Sequence, residues 1–336
     1  MSDFVGKKVL FICPTFFGYE KEIQAELVSL GATVDFYDER PFRSSILKII
    51  NRLNFKFLIR KIINDHYNNI LTVANLKKYD ILFVINPETM SVDFLKKMNN
   101  LCPDLYSVIY LWDSIKNKRH ALSLINYFDR VFTFDKGDID IHSSIEFLPL
   151  FFTRTYDRRY YNDEPPCSHL KYKASFIGTA HSDRFNLVKI LMSQISKLSS
   201  KNFLFLYCPS KLLFFLKKYI SREYQGISLS DVSFRSMNSS EISHVLMNSE
   251  VVIDIEHPNQ SGLTMRTIEI LGLQKKLITT NKNIINYDFY HPDNICVVDR
   301  SNPCINEGFM FSRFKSTDVE ILERYTLCYW LKTLLL

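Results

Sequence analysis

Glycine is scarce in this chain of 336 residues: there are 9, beside 11 prolines. That excludes collagen-like, linker-rich and low-complexity architectures, and it makes each glycine a marker of backbone freedom or close approach. Cysteine is present but unorganised. Cys13, Cys102, Cys167, Cys208, Cys296, Cys304 and Cys328 are odd in number, scattered and without a Cys-x-x-Cys pair. A disulfide framework and a zinc ribbon are excluded, and a reducing cytoplasm is the expected compartment. No apolar run approaches the ~18–20 residues of a membrane span. The short run at 9–13 has no small-residue cleavage pattern after it, so neither export nor membrane spanning is expected. A dominant charge is missing too: 42 Lys+Arg against 36 Asp+Glu leaves +6, too little to imply nucleic acid. Gly-x-Gly-x-x-Gly, Walker, His-Glu-x-x-His and Gly-x-Ser-x-Gly motifs are all absent. Dehydrogenase, P-loop, zinc-protease and α/β-hydrolase readings lose their support. Asp138-Ile-Asp140 lies in a polar turn and not at a strand end, so no metal site is expected.

What is present is a globular composition, 46% hydrophobic, 14% aromatic and 23% charged. The length exceeds one domain of ~150 residues. Val9 to Cys13 reads as a strand buried on both faces, ended by Pro14. Residues 19–30 carry Ile23, Leu27 and Leu30 at helical spacing with Gly31 as the cap, and 32–37 read as a second strand. Such a βαβ unit requires a parallel sheet. Strand signals recur at 79–86, 107–112, 130–134 and 145–150. Then 156–173 turns polar around Pro165-Pro166, which places a linker there. A second alternation follows, with strands at 174–177, 202–207, 232–234, 251–255 and 276–280. Helices are expected from near 183 and over 211–224, 240–247, 263–273 and 317–334. The expected fold is α/β, two tandem Rossmann-like domains over 1–165 and 166–316, with a C-terminal helix in 317–336 packing back across them.

Residues 254–272 combine a strand end (Asp254, Glu256, His257), a loop with Gly262, and a helix carrying Thr264, Arg266 and Glu269. Free N–H groups at a helix start beside a glycine suit a diphosphate, with Thr264 and Arg266 adding a hydroxyl and a cation. A carboxylate such as Glu269 suits ribose hydroxyls. Gly178, Thr179, His181 and Arg184 follow the first strand of the second half, at the edge where such sheets bind ligands. In the first half Glu20, after the first strand, and Asp113, after Trp112, are candidate general bases, as is His257. Their ordinary roles would be helix caps or structural side chains. The alternative role of Arg266 is pairing with a neighbouring carboxylate.

Ser261 through Gly272, with Glu269 within it, resembles the Glu-Gly-x-x-x-x-x-x-Glu helix of bacterial glycosyltransferases of the GT-B type. Ser175-Phe-Ile-Gly178-Thr179 and the doubled domain pattern support the resemblance. It implies two Rossmann-like domains facing across a cleft, and a nucleotide-sugar held by the C-terminal one as substrate, without a cofactor. Glu269 falls on the family's ribose ligand, while Ser261 stands where the first glutamate would be. More narrowly, the chain resembles proteins of capsule, lipopolysaccharide and exopolysaccharide gene clusters. That implies metal-independent sugar transfer to a lipid-linked or polysaccharide acceptor. An epimerase on the same fold and a non-catalytic nucleotide- or sugar-binding protein are the alternatives. Arg43, Lys48, Arg52, Lys56, Arg60 and Lys61 occur with no acidic residue between Arg40 and Asp65. Four of them recur every fourth position. A continuous helix there would present a cationic face to an anionic membrane, at the inner face of the cell membrane, or simply to water.

Overall fold

The computed structural model describes residues 3–42, 47, 51, 56–161, 170–180, 183–199, 201–220, 224–258 and 260–336. The chain divides into two compact units, Met1–Pro149 with Leu327–Leu336, and Leu150–Thr326.

Unit 1 is built on strands β1 (Lys8–Cys13), β2 (Thr33–Asp38), β3 (Ile81–Ile85), β4 (Tyr106–Leu111), β5 (Arg130–Thr133) and β6 (Ile145–Phe147). They form one sheet in the order β2-β1-β3-β4-β5-β6, and every pairing is parallel. The central β3 is buried at all five positions, which is why it reads as an unbroken apolar run. Helix α1 (Tyr19–Ser29) returns from β1 to β2. It begins after Gly18 at φ 85° and stops before Gly31 at φ 100°, both left-handed positions that suit glycine. Helices α2 (Arg60–Lys77) and α3 (Val92–Leu101) bury Ile63, Tyr67, Ile70, Phe94, Leu95 and Met98 in the core of this unit. Ser91 caps α3 by accepting the Phe94 amide at 3.2 Å.

Unit 2 contains β7 (Tyr172–Thr179), β8 (Asn202–Tyr207), β9 (Ser249–Asp254), β10 (Lys276–Thr279) and β11 (Ile295–Val297), ordered β11-β10-β9-β7-β8 and again parallel. Its helices are α4 (Arg184–Ser196), α5 (Lys211–Tyr219), α6 (Ser239–Met247), α7 (Met265–Leu273), α8 (Glu307–Phe311) and α9 (Val319–Arg324). Counted within the unit, its strand order repeats that of the first five strands of unit 1. In each sheet the order reverses between the first and third strands, β1/β3 and β7/β9. That reversal opens a crevice at the carboxyl ends of the strands.

Several expectations change. The division falls after Pro149, not near Pro165. Residues 150–161 belong to unit 2 because Phe152 N–H donates to Tyr325 O at 2.8 Å, and Arg159 pairs with both Asp157 and Glu323. The polar stretch at 156–161 is therefore folded, with Tyr156 and Asp157 buried, while Pro165 lies outside the described residues. The single helix over 317–334 is two helices: α9 ends at Arg324, and α10 (Leu327–Leu335) follows Tyr325 and Thr326. Only α10 joins unit 1, where Trp330 meets the rings of Tyr110 (4.7 Å) and Phe83 (5.9 Å). The expected strand at 232–234 is a single bridge, Ser233 to Tyr207. The helix expected over 211–224 stops at Tyr219. The cationic series 48–60 does not lie on one continuous helix, because Lys56–Leu58 is a 3₁₀ turn and α2 starts afresh at Arg60. Arg43, Lys48 and Arg52 lie outside the described residues; Arg60 and Lys61 are exposed.

Candidate functional site

The crevice position in unit 2 gathers the loops that follow β7 and β9. Gly178 is the penultimate residue of β7. A Cβ there would stand 2.8 Å from the Phe176 ring and 3.2 Å from Arg184 Nη1, so a larger residue would crowd both the ring and the guanidinium. The Arg184 guanidinium donates to Thr179 O at 3.1 Å and to Ile255 O, tying the two loops together over the Phe176 face. Burial pushes its pKa below the ordinary arginine value, and the nearby Asp254 and Glu256 carboxylates act the other way. Its Nε is buried with no hydrogen-bond partner among the described residues. A half-buried cation with directional N–H capacity at the crevice is suited to an anionic oxygen.

A second arginine completes the group. Arg300, just beyond β11, reaches Asp183 at 2.7 Å, the Glu256 carboxylate at 3.0 Å, the Glu256 carbonyl at 2.7 Å and Thr280 Oγ1 at 3.3 Å. Glu256, buried at the end of the β9 segment, also accepts from Thr280 Oγ1 at 2.6 Å. Both arginines thus hang on the carboxyl edge of the sheet and are held by carbonyls and carboxylates. A fixed cation pair loses little conformational freedom when an anion arrives. His257, the next residue, is exposed.

The Gly262 loop is pinned to the segment after β10. Asn281 Nδ2 donates to the carbonyls of Ser261 and Gly262 at 3.2 Å each, and Asn283 Nδ2 donates to Ser261 O at 3.0 Å. Thr264 is the N-cap of α7, accepting the Thr267 amide at 3.2 Å while its hydroxyl donates to Asp254. Thr267 donates to the same carboxylate at 2.7 Å. The Thr264 hydroxyl is therefore committed to joining helix and strand, which corrects its expected role as a phosphate donor. Arg266 Nη1 donates to Glu269 Oε2 at 2.6 Å, the i,i+3 pairing that its position allows. Glu269 is only 1% exposed, so its carboxylate faces the fold and holds Arg266 in place of lying open to a ribose.

At the equivalent crevice of unit 1 the residue chemistry differs. The loop after β1 places Phe16 and Tyr19 against Trp112, with ring centroids 5.0 and 5.6 Å apart. Phe17, at φ 52°, is thrown outward and largely exposed. Glu20 is buried beneath this loop, accepting the Phe16 amide at 3.3 Å. It holds the loop from below. Asp113 is half-buried beside Asn117 Nδ2 at 3.4 Å, and desolvation raises its carboxyl above the ordinary range. Asp138, singled out above in the Asp138-Ile-Asp140 turn, is buried and receives Thr133 Oγ1 at 2.8 Å and the Ile115 amide at 3.2 Å. It braces the loops after β4 and β5.

Arg300, Thr280 and Asn281 were not legible as site residues. Thr280 and Asn281 follow β10 and Arg300 lies three residues past β11, and no local pattern links them to the Gly262 loop; the only available signal was that polar residues come soon after a buried strand. No protein-family model matches this sequence, and no curated protein matches it in a sequence search. Solved structures do match. A glycosyltransferase from Rickettsia africae is 12% identical with a TM-score of 0.58, covering 97% of this chain and 96% of that one. Anabaena Alr3699/HepE, solved with UDP and glucose, is 13% identical with a TM-score of 0.61, covering 97% and 98%. OtsA in its apo form is 11% identical with a TM-score of 0.61, covering 98% of each chain. The fold is accordingly the two-domain, Rossmann-like GT-B fold.

Proposed function

We propose that this chain is a glycosyltransferase that takes a sugar from a nucleotide-sugar donor and passes it to a carbohydrate or lipid-linked acceptor of surface-polysaccharide synthesis. The observation that carries this reading is the half-buried arginine pair, Arg184 and Arg300, at the strand-order reversal of the second sheet. Their charge would stabilise the nucleoside diphosphate as it departs. Gly178 and Thr179 provide the close backbone approach, and the Gly262 loop with the start of α7 offers its amides. Arg266, positioned by Glu269, lies on that helix. HepE was solved with UDP, so UDP and UDP-glucose are the first ligands to test.

On the acceptor side the reading assigns Phe16, Phe17, Tyr19 and Trp112 as a sugar-stacking surface, and Asp113 as the base. The acceptor oxygen attacks the anomeric carbon, its proton passes to the Asp113 carboxylate, and the bond from that carbon to the diphosphate oxygen breaks. The upward shift of Asp113 makes it a stronger proton acceptor than an ordinary aspartate. Glu20 and His257 are secondary candidates, since the first is committed to the loop beneath and the second is solvent-exposed.

The test is thermal unfolding of the purified chain across nucleoside mono- and diphosphates and nucleotide-sugars, with Arg184→Ala and Arg300→Ala alongside. A ligand that binds only the folded state raises the midpoint. Stabilisation by one diphosphate, lost in both variants, is expected. Absence of any shift at millimolar nucleotide would sink the donor-site assignment.

A further inference from the structure

Asp113 stands at the start of a tight turn after β4, and Lys118 closes that turn. The Asn117 amide donates to Ser114 O at 2.8 Å, and the Lys118 amide donates to Ser114 O at 3.0 Å and to Ile115 O at 3.1 Å. Ser114 is buried. Asp138 holds the turn from the β5 side, accepting the Ile115 amide at 3.2 Å and the Ser114 hydroxyl at 3.4 Å. A lysine five positions from a half-buried carboxylate, on a flexible four-carbon stem, would ordinarily pair with it. These two do not pair. Asp113 takes Asn117 Nδ2 at 3.4 Å, while Lys118 Nζ reaches Glu88 Oε1 at 2.7 Å, on the loop after the neighbouring strand β3.

Glu88 takes the cation because it is fixed in advance. Its amide donates to Glu39 Oε1 at 2.8 Å, its Oε2 accepts from Asn51 Nδ2 at 3.2 Å, and its side chain is 17% exposed. A second tie runs alongside, where His120 Nε2 donates to Met90 O at 2.8 Å. A carboxylate already anchored and partly desolvated loses less freedom on forming an ion pair than an exposed one, and gains more from it. Lys116 and Arg119, on either side of Lys118, are exposed and make no ion pair among the described residues. Desolvation has the largest influence on the Asp113 carboxyl and raises it; Asn117 and Lys118 act downward, and Glu88 upward.

We propose that Glu88 is a positioning residue for the reaction: by holding the Lys118 ammonium it leaves Asp113 without an ion pair, and so keeps that carboxylate available as a proton acceptor. This rests on the reading of Asp113 as the base. A carboxylate locked to a cation is a weaker base, because the pairing favours its charged form and is lost when the proton arrives. Glu88 acts through Lys118 and is assigned no contact with substrate.

The pH midpoint at which the Asp113 carboxyl titrates is followed by NMR in the full chain, labelled with carbon-13 at the aspartate carboxyls and assigned with Asp113→Asn. Lys118→Met removes the cation and leaves Glu88 unneutralised, so the midpoint should rise by about 0.5–1 pH unit. Glu88→Gln frees the ammonium, so the midpoint should fall by a similar amount, and Lys118→Arg should stay close to the wild type. A pair that is only structural would lower the urea midpoint in both variants and leave the carboxyl unmoved, or move it the same way in both; either result overturns the proposal. Circular dichroism is checked first, and should Glu88→Gln fail to fold, the rise in Lys118→Met or its absence decides. In turnover of UDP-glucose, read as UDP release, the acid-side fall of kcat should shift in the same order. Opposite carboxyl shifts in a chain whose turnover is indifferent to Asp113→Asn overturn the reading of Asp113 as the base and leave the capture of Lys118 by Glu88 standing. An unmoved carboxyl in a chain that needs Asp113 does the reverse.

Discussion

The two units share a strand order and differ in what that order presents. At the reversal in unit 2 stand Arg184 and Arg300, braced by Asp183, Glu256 and backbone carbonyls. At the equivalent place in unit 1 stand aromatic rings and carboxylates, Phe16, Tyr19 and Trp112 with Glu20 and Asp113. Topology supplies the same crevice twice, because right-handed βαβ crossovers leave a gap wherever the winding changes direction. The side chains at the strand ends then decide what enters. A cationic, preorganised edge favours a diphosphate, and an aromatic, acidic edge favours a neutral hydroxylated ring whose proton must be removed.

The comparison can be broken most sharply at the acidic edge. Asp113→Asn is expected to lower kcat by roughly 10²–10⁴-fold while leaving nucleotide stabilisation intact; loss of nucleotide binding in this variant would show that the two edges are not chemically distinct. Next in size is the support of unit 1. Trp330 is buried against Phe83, Tyr110 and Trp112, so Trp330→Ala should cost roughly 3–5 kcal/mol and lower the transition of unit 1 selectively in denaturant unfolding.

Glu39 separates the units by pH. It is fully buried, and its Oε1 accepts the amides of Glu88 (2.8 Å), Thr89 and Met90 (2.9 Å) and the Tyr67 hydroxyl (3.1 Å). Its Oε2 is buried with no hydrogen-bond partner among the described residues. Desolvation outweighs those donors and raises the carboxyl from 4.5 to about 7. The folded state therefore keeps a proton that the unfolded chain releases. Stability from this group is full below about pH 4.5, falls as pH rises towards 7, and is level above it, a change of roughly 3 kcal/mol. Glu39→Gln should flatten that slope in urea titrations; an unchanged slope would assign it to other groups. The smallest effect is expected at Gly272 of unit 2, where a Cβ would lie 2.4 Å from Tyr156 O and 2.6 Å from the Phe152 ring. Gly272→Ala should cost about 1–3 kcal/mol by urea midpoint, without altering unit 1.

Much of the fold was legible along the chain because strands and helices carry their own periodicity. Val9 to Cys13 read as a strand for lack of any polar break, residues 251–255 read as one around their β-branched run, and Gly31 marked a helix end by the φ it allows. Thr264 was legible as the residue before a helix, yet its hydroxyl proved to serve Asp254, ten positions away. Glu269 was legible by spacing, but its burial was not, since which face of α7 meets the sheet depends on neighbours distant in sequence.

By itself, then, the sequence determined that this is a doubled α/β protein, where most of its strands lie, and which loop after β9 opens a helix beside a glycine. Only the tertiary structure decided that residues 327–336 return to unit 1, and that Arg300 meets Glu256 across 44 positions. It also decided that Arg266 is spoken for by Glu269 and that α5 turns its apolar side outward. The reason is physical. Periodicity, caps and turns are properties of neighbouring residues, while ion pairs, burial and exposed stripes are settled when strand ends far apart in sequence are laid side by side.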